Sequence, residues 1–470
     1  MERPVKSVAV IGAGITGLTA AFYLQRAGVP VTVFEAGDRV GGAIRSRREN
    51  GYLAESGPNT ILETSPVITQ LVSDAGLERR RLEPDPKSEA RYLVRYGRPI
   101  AMPGSPVGFL TTRLFTIGAK LAVLREPFVP ARRDGDEESI AAFVTRRLGR
   151  EFLDHAIDAM VAGVYAGDPA KLSVRQAFPK LAALESSYGS LIKGQLLGAR
   201  ERRKRGEVAK DRAPKFSFDE GLQVLPDRLH QLLGDSVVLN TFVNEIKKSG
   251  NSWTITSSCH GESMISDHSA VIYAGTAHAL AGLDVKLEEG EKLDLTPFSE
   301  IRHPPVASVV LGYRRKDVAH PCQGFGALIP KVEGFGILGT IFSSSLFPNR
   351  TPAGHLTLTS YVGGERHPDL AALPEEQLFE LTHRDLARLL GIKGEPTFRS
   401  LARYPKAIPQ YNLGFGRYRE LMTAIEARTA TLFFAGHYRD GISLGDSIVS
   451  GRNIVDRVVK ALDSVHSLRP

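Results

Sequence analysis

The sequence predicts an α/β fold in which one parallel sheet is assembled from distant stretches of the chain, beside a second, mixed sheet and an inserted helical segment. Three observations predict it. Near the start, Val8–Ile11 and Val31–Phe34 are apolar runs flanking a helical pattern that ends at Leu24. From Val237 the pattern changes to alternating strands, VVLNTFVNEIKK, SWTITSS and HSAVIYAG, and an apolar run at 431–435 repeats the strand signature near the end. Between about 105 and 215 helical spacing dominates.

Gly12, Gly14 and Gly17 punctuate the first strand-to-helix turn. Gly12 allows a tight turn, Gly14 lets backbone approach a pyrophosphate, and Gly17 permits helix against strand. The helix N-terminus then offers unpaired N–H groups to the phosphates. Glu35 ends the second strand, where a carboxylate accepts hydrogen bonds from both ribose hydroxyls. A bare GxGxxG is weak evidence, but here strand, helix, strand and acidic residue fall in the required order. In Arg39-Val40-Gly41-Gly42, with Arg45 and Ser46 behind, Gly41 and Gly42 bring a second stretch of backbone towards the diphosphate and Arg39 places a charge nearby. The bland alternative for Arg39 and Arg45 is a solvated surface pair. This ExxxRxGGxxxS continuation resembles the extended fingerprint of the flavin amine oxidase-like superfamily, which implies FAD rather than NAD.

Composition sets limits. At 470 residues the chain exceeds one hydrophobic core, so two or three domains are expected. Two cysteines, Cys259 and Cys322, make no disulfide framework and have no metal-ligand neighbours, so a reducing, cytoplasmic setting is expected and no metal. Arg3 and Lys6 before an apolar stretch mimic a secretory signal, but the glycine fingerprint occupies that stretch. Nothing is long and apolar enough to span a bilayer. The net charge of +8 suits an anionic partner. Its densest block, residues 200–215, has no interleaved aromatic side chain; a solvated loop is the first reading, anionic lipid the second and nucleic acid the last.

Residues 139–166 read as one helix, with Ile140, Phe143, Val144, Leu148, Phe152, Ile157 and Val161 on one face and Asp168-Pro169 stopping it. Stretches 107–124 and 172–197 also favour helix. Phe109, Leu110, Leu114 and Phe115 are read as core, with a membrane-facing surface as the alternative. Between about 305 and 405, VASVVLGY, GFGILGTIF and HLTLTSYVGG alternate with glycine turns and suit a mixed sheet roofing a pocket. At the end, a loop at 437–444 leads into a helix beginning at Gly445-Asp446-Ser447. Asp446 or Ser447 is its candidate N-cap. His437 reads as a polar loop residue.

Several further stretches narrow the family. Gly57-Pro58-Asn59-Thr60, Arg91-Tyr92-Leu93 before Met102-Pro103, GVYAGDP from Gly163 with Leu172-Ser173, QGFG from Gln323 with Leu328-Ile329-Pro330, and AGHYRDGISLGD from Ala435 resemble the protoporphyrinogen oxidase family over nearly the whole chain. The resemblance implies a glutathione-reductase-type, Rossmann-like FAD-binding domain split over 1–85, 216–295 and 426–470. It implies a mixed-sheet substrate domain over 86–104 and 296–425, and an inserted helical, membrane-associating domain over 105–215. The valine backbone that meets adenine would be Val243, and Gly57, Gly436, Gly445 and Asp446 would close on the cofactor, with the last helix aimed at the flavin pyrimidine ring.

The activity implied is oxidation of a porphyrinogen to a porphyrin in three two-electron steps, with FAD reoxidised by oxygen. It comes with peripheral attachment to the inner face of the cell membrane. Arg91 would hold a propionate, with Arg95 in reserve, because guanidinium grips carboxylate with two parallel bonds. Phe325 and Leu328 would sandwich the tetrapyrrole, Gly163 would leave room for a ring, and Asn59 would orient the macrocycle. No general base stands out. FAD is expected to be non-covalent, since AGHYRDGIS has no cysteine. Coproporphyrinogen III oxidation, a flavin amine oxidase and a flavin-binding escort protein are the alternatives, and a homodimer is left open.

Overall fold

The computed structural model describes residues 7–132, 135–204 and 213–467. Its centre is a five-stranded sheet in the order Val237–Val238, Val31–Phe34, Val8–Ile11, Ala270–Tyr273, Leu432–Phe434, with every pairing parallel. Parallel strands are covered on both faces, and this sheet is built accordingly. Val8, Val10, Val31 and Val33 pack with the helix Ile15–Arg26, the helix Val224–Leu233 and the final helix Leu444–Ser467. Ala9, Phe34 and Val271 face the other way, against Ile246, Trp253, Ile255 and Val285 of a second sheet. That sheet runs Glu262–His268, Ser252–Cys259, Thr241–Ser249, Asp284–Lys286. Trp253 is fully buried in it and donates its ring N–H to Thr431 Oγ1 at 2.9 Å.

VVLNTFVNEIKK serves two sheets rather than one. Val237–Val238 joins the parallel sheet, Asn240 turns the chain with φ 53°, and Thr241–Ser249 enters the second. The seven-stranded sheet runs Phe398–Tyr404, Val306–Arg314, His355–Gly363, Ile337–Ile341, Gly326–Leu328, Arg91–Arg95, Arg98–Ala101. The pairing of Gly326–Leu328 with Arg91–Arg95 is parallel and its other pairings are antiparallel, which makes the sheet mixed. The helix Glu375–Leu390 packs on it through Leu378, Phe379, Leu386 and Leu389.

The helical region departs from the single long helix expected over 139–166. It breaks at Gly149, whose φ of 90° no helix accommodates, into Ile140–Leu148 and Arg150–Phe152, and continues through a π turn Leu153–Ile157 into Asp158–Tyr165. Stretch 107–124 likewise divides into Pro106–Thr111 and Ile117–Arg125. A buried ion network holds these pieces: Arg147 Nη1 donates to Glu126 at 2.8 Å and Arg147 Nε to Glu185 at 2.9 Å, while Glu126 accepts the N–H groups of Leu191 and Ile192. Such a network holds because each buried charge is paired and hydrogen-bonded. Leu114 and Phe115 are core, as expected, but Leu110 is exposed. Of the basic block, residues 205–212 lie outside the described residues, and Lys215 opens the strand Lys215–Phe218. Among the described residues no helix is long and apolar enough to cross a membrane, and no histidine, cysteine or carboxylate group has metal-ligand geometry.

Candidate functional site

The carboxyl ends of the parallel strands converge on the glycine turns, the place where open α/β sheets bind ligands. Gly12 has φ 103°, and a Cβ on it would press on Ala274 and Gly275. At Gly17 a Cβ would lie 2.0 Å from the Gly12 carbonyl oxygen. Gly14 differs: nothing lies within 4 Å of where its Cβ would be, so the space above it is open. Gly14 caps the helix Ile15–Arg26 without a side-chain hydrogen bond, and the first turn has no acidic residue. Unpaired N–H groups therefore face open space, the arrangement that takes phosphate.

A second glycine turn lies alongside. Gly41 N donates to Ala13 O at 2.9 Å, and a Cβ on Gly42 would meet the Gly14 Cα at 3.4 Å. Arg39 is not a solvated surface residue: its guanidinium folds back on its own loop and donates to the carbonyls of Val40, Gly42 and Ile44 at 3.0, 2.7 and 2.8 Å. Its work is to hold the shape of that loop. Arg45 is exposed. Glu35 is fixed by two backbone donors, Ala13 N at 2.7 Å and Gly37 N at 2.8 Å, one on each carboxylate oxygen. The strand bearing Val243 starts beside it, with Thr241 N donating to Glu35 O at 2.8 Å. The groups that would meet ribose, diphosphate and adenine thus lie along one track, and the residues present fit a dinucleotide.

At the closing end, Gly436 has φ 122° and donates its N–H to Ser450 Oγ at 2.9 Å. The final helix begins at Leu444, one residue earlier than expected, and its cap is Ser443 rather than Asp446 or Ser447. Asp446 N donates to Ser443 Oγ at 3.1 Å and Ser443 N to Asp446 Oδ2 at 3.3 Å, a reciprocal capping box. A Cβ on Gly445 would lie 2.7 Å from Leu62 O, so that glycine sets how closely the helix end approaches.

Of the expected substrate residues, the structure brings Arg91, Leu328 and Gly163 together. Gly326 pairs with Arg91 and Leu328 with Leu93, so Arg91, Leu93 and Leu328 share a sheet face. A Cβ on Gly163 would sit 2.4 Å from Leu328 Cδ2, which brings two expected pocket residues into direct contact. Phe325 is half-buried, with Lys215 Nζ 6.0 Å from its ring centroid. Arg95 is a correction: it is buried, it contacts His155 and it pairs with Glu151 at 3.2 Å, so its charge is committed to the helical region. Asn59 is another. Its amide nitrogen donates to Tyr361 Oη at 2.8 Å and Gly57 O at 3.3 Å, and its carbonyl oxygen accepts from Ser343 at 3.4 Å, which leaves its amide turned inward.

Sequence reasoning missed Tyr361, whose hydroxyl donates to Gly57 O at 2.9 Å and ties the substrate sheet to the cofactor turn; burial raises its pKa. It also missed Glu55, a buried carboxyl that accepts from Ser46 Oγ at 2.7 Å and Leu222 N at 2.9 Å, with Arg350 nearby. Burial pushes its pKa up to about 7. A serine ending the RxGGxxxS run, with a glutamate nine residues on, was the available signal. His437 is more than an exposed loop residue: its ring stands edge to face with Tyr438 at 6.2 Å, and burial pushes its pKa down to about 4.

The flavin containing amine oxidoreductase family matches residues 15–459. Protoporphyrinogen oxidase 2, chloroplastic/mitochondrial, of Arabidopsis thaliana is 34% identical over 98% of this chain and 95% of its own length. Coproporphyrinogen III oxidase of Bacillus subtilis is 28% identical over 99% of this chain and 100% of its own. The fold of an Exiguobacterium sp. 255-15 protein superposes with a TM-score of 0.80 at 23% identity, covering 97% of this chain and 99% of that one. The chain is an oxidoreductase of the flavin containing amine oxidoreductase family and belongs, within it, with the protoporphyrinogen oxidases.

Proposed function

We propose that this enzyme binds FAD non-covalently and oxidises protoporphyrinogen IX to protoporphyrin IX, with dioxygen as the final acceptor. A single observation carries the reading: an open dinucleotide cradle at Gly14, Gly42 and Glu35 runs past Gly57 towards a sheet face bearing Arg91, Leu93 and Leu328, with Gly163 against Leu328. When bound, FAD supplies hydride acceptance, the chemistry each two-electron step needs. The chain's own residues bind and position. Leu328, seated directly against Gly163, and Phe325 offer apolar walls to a macrocycle, and Arg91 receives a propionate. Tyr361 and Asn59 fix the Gly57 turn between the two parts of the site.

An anaerobic single-turnover experiment tests this reading. Protoporphyrinogen added to the purified yellow protein should bleach the flavin absorbance as porphyrin fluorescence appears, and acid precipitation should release the flavin. No bleaching, or flavin that stays with the denatured chain, would overturn it. Coproporphyrinogen III is the second reading, favoured by a match that runs the full length of the Bacillus relative.

The same proposal places the protein in the cytoplasm, on the inner face of the membrane. Val107, Leu110, Ile117, Leu121, Leu124 and Phe128 are exposed on two consecutive helices and the turn after them, Phe128 at 84% and Ile117 at 77%. Apolar residues so disposed suit an interfacial contact, which basic neighbours would make salt-sensitive. Flotation with anionic vesicles at low salt should carry the protein upward, and high salt should release it.

A further inference from the structure

The chain just past the strand His355–Gly363 grips the helix Asp158–Tyr165 at both ends. At the far end, Glu365 N donates to Ala166 O at 2.8 Å, and a Cβ on Gly364 would lie 2.5 Å from that same oxygen. Lys171 and Arg302 hold the Glu365 carboxylate in turn, each at 2.7 Å. At the near end, Arg366 Nη2 donates to Asp158 Oδ2 at 2.7 Å. That carboxylate oxygen also accepts the N–H of Lys331 at 2.7 Å, while Arg366 Nη1 donates to the Ile329 carbonyl at 2.9 Å. Arg366 and Asp158 therefore hold the chain on either side of Pro330, immediately after the strand Gly326–Leu328.

Both segments tied by this pair carry the expected pocket wall. Gly163 lies on the helix that Asp158 opens, Leu328 directly precedes Ile329, and a Cβ on Gly163 would sit 2.4 Å from Leu328 Cδ2. Gly163 is exposed and Leu328 half-buried, so their contact borders open space. The groups that fix it do not: the Arg366 side chain is 4% exposed and that of Asp158 16%. Burial pulls the Arg366 pKa down and Asp158 opposes that pull. A buried pair of charges is tolerated when each is hydrogen-bonded as well as paired, and here the guanidinium reaches two different acceptors. The planar fork of arginine can do this, whereas the ammonium of lysine is a point charge on a flexible stem.

We propose that Arg366, through Asp158 and the Ile329 carbonyl, is a positioning residue that seats Leu328 against Gly163 and so fixes one wall of the tetrapyrrole pocket. The proposal rests on the porphyrinogen reading above, in which Leu328 is that wall. Arg366 acts through Leu328 and not on the substrate itself. Without its guanidinium the Ile329 carbonyl loses a donor and Asp158 its counter-charge, and Leu328 is free to leave Gly163. Substrate binding must then restore the wall, which weakens binding and leaves the redox step as it was.

Steady-state kinetics of the purified holoprotein, arranged as a double-mutant cycle, test this. Arg366→Met should raise KM for protoporphyrinogen about tenfold, as for a ligand that must itself order a side chain, with kcat and flavin content unchanged. Arg366→Lys should raise it less, since it keeps a charge beside Asp158. In a Leu328→Ala background the wall is already gone, so Arg366→Met should change KM by no more than about twofold. An ion pair that serves stability alone would lower the melting temperature of these variants and leave KM at its native value. Should Arg366→Met not fold, Arg366→Lys completes the cycle. A flavin-loaded Arg366 variant with native KM, or a rise in KM of equal size in both backgrounds, would overturn the proposal. Native flavoprotein that oxidises neither protoporphyrinogen nor coproporphyrinogen would instead overturn the functional reading, and the proposal with it.

Discussion

In the proposed function, Glu35 would serve the cofactor and Arg91 the substrate. Glu35 is oriented before any ligand arrives, because Ala13 N and Gly37 N hold its two oxygens and leave the other lone pairs for ribose hydroxyls. Glu35→Ala should weaken FAD retention by about 2–4 kcal/mol, the worth of two charge-assisted hydrogen bonds, and Glu35→Gln by less. Equilibrium release into dilute buffer, followed by flavin fluorescence, measures it. Arg91→Ala should raise KM for the porphyrinogen by about 1–3 kcal/mol equivalent and leave flavin content unchanged, since its charge serves ground-state binding. Normal KM with depleted flavin would move Arg91 into the cofactor shell. At this scale the sequence was legible where local chemistry decides: Gly12, Gly14, Gly17 and Glu35 occupy one unbroken stretch, and their spacing alone constrains them. It was illegible where partners are distant. Arg95 and Glu151 meet across 56 residues, Asn59 and Tyr361 across 302, and no local pattern announces either pairing.

Among the elements, the fingerprint helix Ile15–Arg26 and the final helix Leu444–Ser467 pack directly on each other beside the glycine turn. Thr16 Oγ1 donates to Ser447 O at 3.1 Å, and a Cβ on Gly451 would fall 2.4 Å from Thr16 O. The obstructing atom is backbone, so it cannot rotate away. Gly451→Ala should therefore force the helices apart, cost about 1–3 kcal/mol and lower both the melting temperature and the flavin content. An unchanged melting curve would mean that the helices tolerate a wider crossing. Strands were legible as apolar runs bounded by turns, including Val306–Arg314 and His355–Gly363. Their limits were not, because single residues with positive φ reset the chain. Asn240 passes it from one sheet to another, and Gly149 splits a stretch whose apolar spacing continues unbroken on either side.

For the molecule as a whole, the seam near Ser46 holds a buried carboxyl, Glu55, and a buried guanidinium, Arg350, brought near each other from distant segments of the chain. Arg350 donates to Ser217 Oγ at 3.0 Å and Phe218 O at 2.9 Å, and burial lowers its pKa, while Glu55 is pushed up to about 7 by burial. A carboxyl raised above its unfolded value binds more protons folded than unfolded. Its contribution is therefore fully present below the unfolded pKa and is lost as pH rises towards about 7. Glu55→Gln should thus gain stability relative to the native chain as pH rises from 5 to 8, by about 1–3 kcal/mol across that window. Melting temperatures at both pH values measure it, and a difference that does not grow with pH would show that Glu55 is ionised throughout. This pair, like the His278–His303 contact, comes from segments far apart in the chain, which is why sequence conveyed the glycine turn and the strand Arg91–Arg95 but not the groups that join distant parts of the fold. The most direct test of the central claim is porphyrin fluorescence from aerobic incubation of the purified protein with protoporphyrinogen and, separately, coproporphyrinogen. The account predicts porphyrin formation well above the uncatalysed rate, faster with protoporphyrinogen, with hydrogen peroxide released alongside. Flavin-loaded protein that accelerates neither oxidation would contradict it.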